Sequence, residues 1–411
     1  MILIIKLAYR NVFRNFRRSL LTFLAISIGI AIALIFIGFS IGAERQSVKI
    51  SVDTNTGHVK VHQAGYLDDE LTLTLDHTIG NYREVLRKLG SRPDVESYAE
   101  RILFPASLTD GIDELKLNGI GIHPDREHET FNIGAKLVQG SMIQPGDEKM
   151  LLTETIAKLF SVKPGDYLTL VARTKYGTIN ALDMEIGGLL RIGNAEVDNQ
   201  YFFIPLDVAQ EFLEMEDMVT EVTVMGTSME NADRIAAGIR EILDGSNYDV
   251  VTWEYMARDL IRLYRLRAKA RFLMNFILFL MASASVMNTM LMSIFERTSE
   301  IGTMMAMGFR KGRIMLLFIV EAMYLGIFGS LVGCVLGGAF TFYYKTHGIA
   351  VSTFFEEGMG NLPVGQYIYT EMTYGYLIAV FLLGIFIAAG SAAYPAYKGA
   401  NMEPSDALRY V

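Results

Sequence analysis

The chain has 411 residues, 51% of them hydrophobic, with a mean hydropathy of +0.29 and a formal net charge of −8. That apolarity excludes an ordinary soluble protein of this size, and no interleaving of basic and aromatic residues points to nucleic acid. The single cysteine, Cys334, excludes a disulfide framework, a cysteine-rich metal site and a lipid-bearing N-terminal cysteine.

In residues 1–18, Ile2, Ile5, Tyr9, Val12 and Phe16 form an apolar stripe, while Lys6, Arg10, Arg14 and Arg17 fall on another face. This spacing predicts an amphipathic elbow helix lying on the cytoplasmic face of a membrane, held by apolar burial and anionic lipid. The alternative, a simple continuation of the following span, stays open. Residues 19–43 carry no charge over 25 positions. That is long enough to cross a bilayer and longer than the apolar core of a cleaved signal peptide. Gly38 and Gly42 sit at its outer end, four apart.

Residues 44–270 have the mixed periodicity of a large α+β domain, inserted between the first and second spans. Alternating runs predict strands at Gly57–His62, Leu71–Leu75, Leu115–Ile122 and Tyr167–Val171, with another near Val250. Helical spacing appears at Thr78–Gly90 and Glu230–Leu243. Two subdomains are expected, with a piece near 113–215 set into an outer piece. The connection Ala172–Asp183 carries Arg173, Lys175 and Tyr176, a candidate hook for a periplasmic carrier or else a solvated hairpin. His123 and His128 read as solvated loop residues rather than metal ligands.

A second span is predicted at 271–295, with the basic run Arg262–Arg271 on a helical stalk that continues it outward. Residues 296–313 form a short charged segment between two apolar runs. In it Ile301, Met304, Met305 and Gly308 recur three or four apart, which gives one apolar and one polar face. Glu296 and Glu300 stand where a helix favours anions, and Gly308 where it would stop. Such a helix is suited to docking at the membrane surface. The third span, 314–344, contains Gly329, Gly333 and Gly337 every fourth residue, a spacing that lets helices pack closely within one chain or between two. It also carries Glu321, which either has a functional role or reaches the cytoplasmic edge to pair with Arg310 or Arg313. A short periplasmic loop (345–371), a fourth span (372–397) and a cytoplasmic tail (398–411) complete the chain. Lys and Arg are modestly enriched on the side of the termini, which favours cytoplasmic ends. There is no G-x-x-x-x-G-K-[ST] loop and no H-E-x-x-H, so the chain is not expected to hydrolyse ATP or to hold a metal or other cofactor itself.

The run ERTSEIGTMMAMG followed by LFIVEAMYLGIFGSLVGCVLG resembles the signature of FtsX/MacB-type ABC transporter permeases. The opening LAYRNVFRNFRRSLLTFLAISIG and the ending YPAYKGANMEPSDALRY are similar to that family's ends. TGHVKVHQAGYLDD and NGIGIHP resemble its lipoprotein-releasing LolC/LolE branch. The resemblance covers nearly the whole chain. It implies a permease subunit, not itself an enzyme, in a bacterial inner membrane. That subunit would pair with a second permease chain, identical or not, and bind two copies of an ABC ATPase that hold ATP and Mg. Glu296, Arg297, Glu300, Ile301, Gly302, Met304, Met305 and Gly308 would then belong to the coupling helix that meets the ATPase. The client would be a membrane lipoprotein, handed to a carrier, with membrane lipid as the other contact. Competing implications are MacB-type efflux of small molecules or peptides, FtsX-type signalling to a cell-wall hydrolase, and a non-transporting scaffold. In MacB itself the ATPase is fused to the permease, and its absence here counts against the first of these; the large outer domain counts against the second.

Overall fold

The computed structural model describes residues 2–14, 16–68, 73, 75–243, 247–350 and 367–402. Most of the expected strand at 71–75, most of the 345–371 connection and the tail beyond 402 lie outside them. Two compact units form, one from residues 2–44, 264–350 and 367–402, the other from residues 45–263.

The chain opens with α1 (Ile2–Arg14) and α2 (Phe16–Ser51). At 36 residues α2 is about 54 Å long by helical rise, well beyond the roughly 30 Å of hydrocarbon. A π-helical turn, Val52–Thr56, follows, and Gly57 at φ +60° ends it; a Cβ there would collide with Thr223.

The second unit follows in chain order as β1 (Val59–Gln63), β2 (Ile79–Gly80), α3 (Tyr82–Gly90), β3 (Val95–Thr109), β4 (Glu114–Ile122) and α4 (Pro124–Phe131). Next come β5 (Leu137–Gly140), β6 (Lys149–Thr153), α5 (Glu154–Phe160), β7 (Tyr167–Arg173), β8 (Ile179–Leu190) and α6 (Ala195–Gln200). The unit closes with β9 (Tyr201–Pro205), α7 (Leu206–Phe212), β10 (Met218–Val219), β11 (Glu221–Gly226), α8 (Ala232–Ile242), β12 (Tyr248–Thr252) and α9 (Trp253–Met256). The main sheet runs β12–β1–β11–β3–β4–β9–β6–β8–β5, with β7 bridging β3 and β8. The helices form because their apolar residues recur along one face: Tyr82, Val85, Leu86 and Leu89 are buried on α3, and Ala232, Ile235, Ala236 and Ile239 on α8. Both faces pack on a core around Val61, Ile102, Phe104, Leu170 and Phe202.

The expected division near 113–215 does not divide this sheet. The 15-residue β3 pairs with β11 through Val95–Arg101 and with β7 through Ala106–Thr109, while β4 lies along its length from Arg101 to Thr109. One long strand therefore stitches the inner and outer segments together.

The remaining helices are α10 (Arg258–Glu296), α11 (Thr298–Ala306), α12 (Lys311–His347) and α13 (Tyr374–Ala400). Four helices, α2, α10, α12 and α13, are long and apolar enough to cross a membrane. The basic run 262–271 lies within α10 as continuous helix, and Arg271 pairs with Glu44 of α2 at 2.7 Å.

The glycines place α12 against α2 within the chain. A Cβ at Gly329 would lie 2.9 Å from Ile26, at Gly333 2.7 Å from the Ser27 carbonyl, and at Gly337 2.9 Å from the Ala31 carbonyl. In lipid, where apolar burial gives helices no net drive to associate, such backbone approach holds them together. A Cβ at Gly38 would lie 2.6 Å from the Thr341 side chain, and one at Gly42 would collide with the Tyr369 carbonyl. On its other side α12 packs on α13, where a Cβ at Gly326 would lie 2.8 Å from Ala388.

Candidate functional site

The corner between α10 and α12 is built around α11. Helix α10 stops at Glu296, and Arg297 leaves helical geometry at φ −110°, ψ 20°. Thr298 then donates its hydroxyl to the Phe295 carbonyl at 2.7 Å, and α11 begins. It ends in a Schellman turn. Gly308, at φ +88°, donates its N–H to the Met305 carbonyl at 2.9 Å, and Phe309 donates to Met304 at 3.0 Å. Ile301 is fully buried in a cluster with Ile294, Ile314, Phe318, Ala396 and Ala400, so the inner face of α11 touches α10, α12 and α13. Met304 also packs toward Ile4, Ala8 and Leu317, which brings in α1.

A polar network lies under this corner. Arg297, 6% exposed, donates from one terminal nitrogen to both Glu321 oxygens at 3.0 and 3.1 Å and from Nε to Glu300 at 3.0 Å. Its guanidinium sits 5.4 Å from the centre of the Phe318 ring. Asn11 on α1 donates to Glu321 at 2.6 Å, and Arg14 donates to both Glu300 oxygens at 2.7 and 2.8 Å. The two ion pairs differ in kind. Arg297–Glu321 is buried, so losing either partner would strand a charge away from water. Arg14–Glu300 is about half exposed on both sides, where such pairs contribute little. Burial pushes the Glu300 carboxyl up, but hydrogen bonds from Arg14 and Arg297 outweigh that and hold it below the usual range.

Residues 272–404 match the FtsX-like permease C-terminal family, and residues 19–242, more than half of the chain, match the MacB-like periplasmic core domain. The chain belongs to the FtsX/MacB family of ABC transporter permeases. It is 22% identical over 351 residues to the lipoprotein-releasing system transmembrane protein LolC of Neisseria meningitidis, covering 82% of this chain and 83% of that one. The corresponding LolE of Haemophilus influenzae is 22% identical over 402 residues, covering 94% and 93%. The macrolide export ATP-binding/permease protein MacB of Pectobacterium atrosepticum is 35% identical over 123 residues, which cover 30% of this chain and 16% of that one.

In this permease the residues expected to meet an ATPase separate into two sets. Arg297, Ile301 and Gly302 point inward and Met304 and Met305 are half-buried; Glu296, Glu300 and Gly308 are exposed. Glu296 closes α10 rather than opening α11, so the anion in the first turn of α11 is Glu300. The outward face is instead Ser299, Thr303, Ala306 and Met307, the last 67% exposed. Their spacing of four, three and one is the complement of the apolar stripe, and that was the available signal. Glu321 is paired with Arg297 and Asn11, not with Arg310 or Arg313, which are both exposed.

The candidate hook is the turn between β7 and β8, closed by the Thr174 N–H to the Thr178 carbonyl at 2.8 Å. Arg173 and Tyr176 are exposed, Tyr176 by 71%. Lys175 differs: its ammonium donates to Thr78 at 2.6 Å and its N–H to the Leu213 carbonyl at 3.0 Å, so it anchors the turn to its own domain. Among the described residues no group of three or more His, Cys, Asp or Glu could hold a metal ion.

Two cavities accompany these sites. One of about 520 Å³ lies between α2, α10 and α13, lined by apolar residues such as Ile37, Phe276, Phe279, Val380 and Ile387. The other, about 440 Å³, lies in the α+β unit beside Lys60, His62, Asn118, Tyr201 and Glu221. On its wall Lys60 reaches both Glu221 oxygens at 2.9 Å; elsewhere in the unit Arg101 holds Glu127 with Nε at 3.0 Å.

Proposed function

We propose that this permease couples ATP hydrolysis by a separate ATPase subunit to the release of lipoproteins from a bacterial inner membrane. The termini and α11 face the cytoplasm, and the α+β unit, inserted between the first and second spans, stands in the periplasm. Two permease chains bind two ATPase copies, which hold the ATP and Mg, and α11 is the coupling helix. The observation that carries this reading is the build of α11. It is a nine-residue helix, wedged by Ile301 into three spans and closed at its C-terminus by the Gly308 turn, that still presents an exposed face of Ser299, Thr303, Ala306 and Met307. Such a part moves as a body when pushed from outside. The choice of lipoprotein release over MacB-type efflux is supported by reach: the LolC and LolE relatives align along 82% and 94% of the chain, the MacB relative along 30%. A carrier accepting the client would meet Arg173 and Tyr176.

The test is purification of the tagged permease in detergent, identification of the bound subunits, and reconstitution in vesicles with a lipid-anchored client. The expected result is a co-purifying ABC ATPase, ATP-dependent appearance of client in the soluble fraction, and a crosslink from Met307→Cys to that ATPase. A complex without an ATPase, or a crosslink map placing it away from α11, would refute the proposal. Release of a small amphiphile but not of the lipoprotein would favour the efflux reading.

A further inference from the structure

Three elements converge on one buried carboxylate. Glu321 on α12 is 5% exposed, with both oxygens on Arg297 and one also on Asn11 of α1. Arg297 occupies the single non-helical position between α10 and α11, and its Nε reaches Glu300 in the first turn of α11. One guanidinium therefore ties the coupling segment to the third span at the point where the second span ends. The two halves of this link have opposite character. The Glu321 half is dry, so separating it would leave an unpaired charge in an apolar setting. The Glu300 half is wet: that carboxylate is 47% exposed and is shared between Arg297 and Arg14, the latter 48% exposed. Exchange of partners there costs little.

Packing alone would hold α11 in place, since Ile301, Ile314 and Phe318 already fill the corner. Buried ion pairs are often no more stabilising than apolar side chains of the same volume. What an ion pair adds is a fixed connection with a direction, and here it joins the one segment that is pushed to the one span that the glycine ladder locks to α2.

We propose that Arg297 is the positioning residue that carries movement of α11 into α12, and that α1 is its latch. The Arg297–Glu321 contact persists throughout the cycle as the pivot. Glu300 changes hands: bound to Arg14 it keeps α11 at rest against α1, and released from Arg14 it lets α11 turn about Arg297. This rests on the reading of α11 as the coupling helix and goes beyond it, because it assigns the elbow helix and a buried arginine to transmission rather than to ATPase binding.

The experiment uses the complete complex with its ATPase in lipid vesicles and measures client released per ATP hydrolysed, together with the melting temperature. The double substitution Arg297→Met with Glu321→Met replaces the pair by apolar side chains of similar length. It is expected to melt near the native complex but to release about tenfold less client per ATP, the size of an ordinary coupling free energy. Arg297→Lys keeps the charge opposite Glu321 but cannot also reach Glu300 through a second nitrogen, and it is expected to show the same loss. Arg14→Gln, at a half-exposed site that folding tolerates, is expected to raise ATP hydrolysis in the absence of client about fivefold or more. Native release per ATP in the Met pair or in the Lys variant would show that Arg297 only supports the fold and would overturn the pivot. Unchanged client-free hydrolysis in Arg14→Gln would overturn the latch. A native complex that lacks an ATPase would instead overturn the reading of α11 beneath both.

Discussion

His62 makes the α+β unit acid-sensitive, by an amount that follows from its surroundings. It lies fully buried on β1, its ring stacked on Tyr66 at 4.5 Å, with Nδ1 3.3 Å from the Thr220 carbonyl and no partner for Nε2. A ring nitrogen facing a carbonyl donates to it, so the neutral tautomer carries its proton on Nδ1. Burial pushes the imidazole pKa from 6.5 down to about 4; Glu221 opposes that push and Lys60 adds to it. Because the folded value is the lower one, the unfolded chain takes up a proton that the folded chain refuses. Stability is therefore complete above about pH 7 and is lost as pH falls through 6.5 toward 4. At 1.36 kcal/mol per unit the loss is about 2 kcal/mol by pH 5 and about 3 kcal/mol below pH 4. Glu221 adds a loss in the same direction. Burial pushes its carboxyl up, but Lys60, His62 and Arg101 outweigh that and hold it below the usual range, so its contribution disappears lower still. The assay is built in: Trp253 is the chain's only tryptophan, packs on this unit's core and donates its indole N–H to the Met229 carbonyl at 3.2 Å. Urea unfolding of the full-length permease in detergent, followed by Trp253 fluorescence at pH 7.5, 6 and 5, should show the falling stability. His62→Gln should flatten the curve between pH 7.5 and 5. An unchanged slope in that variant, or a His62 resonance titrating near 6.5, would refute the reasoning.

Gly333→Leu should destabilise the membrane helices by about 1–3 kcal/mol or prevent assembly, since even a Cβ would meet the Ser27 carbonyl. Gly312→Leu, with nothing within 4 Å of its Cβ, should leave the melting temperature unchanged, and equal effects at the two sites would show that the glycine ladder is incidental. Gly308→Ala forces a left-handed φ of +88° on a side-chain-bearing residue and should cost about 1 kcal/mol, seen as faster amide exchange confined to α11. A photo-crosslinker at Tyr176 should capture a soluble carrier while one at Lys175, which is tied to Thr78, should not; no capture at either would remove the hook.

The features legible in the sequence are those that a single element fixes by itself. The spans follow from unbroken apolar length, the stripe on α11 from its spacing, and the end of α11 from Gly308. The helices α3 and α8 follow from a repeated apolar face. What escaped were identities across a contact. Arg297 is 24 positions from Glu321 in the chain, and only the break between α10 and α11 turns it inward while Arg310 and Arg313 stay in water. Lys60 and His62 alternate with Val59 and Val61, the pattern of a strand with one face in water. Yet β1 lies between β12 and β11, and both faces are covered. The length of β3 was hidden for the same reason, because it alternates like any strand but is long enough to pair with β11 at one end and β7 at the other.

These misses share a physical origin. Periodicity reports which side of an element avoids water, and it treats a charged residue as a vote for solvent. A buried charge inverts that vote whenever its partner comes from a distant part of the chain, as Glu221 does for Lys60, Glu127 for Arg101 and Glu321 for Arg297. Apolar side chains of similar volume would hold each of these places about as firmly, and with no dependence on a remote partner. Position is what the ion pairs secure instead. An apolar contact tolerates sliding, whereas a guanidinium facing a carboxylate tolerates little. In the proposed coupling, the stiffness at the α10–α11 break lies in the path between the outward face of α11 and the third span, where a loose contact would absorb a push before it reached the membrane helices.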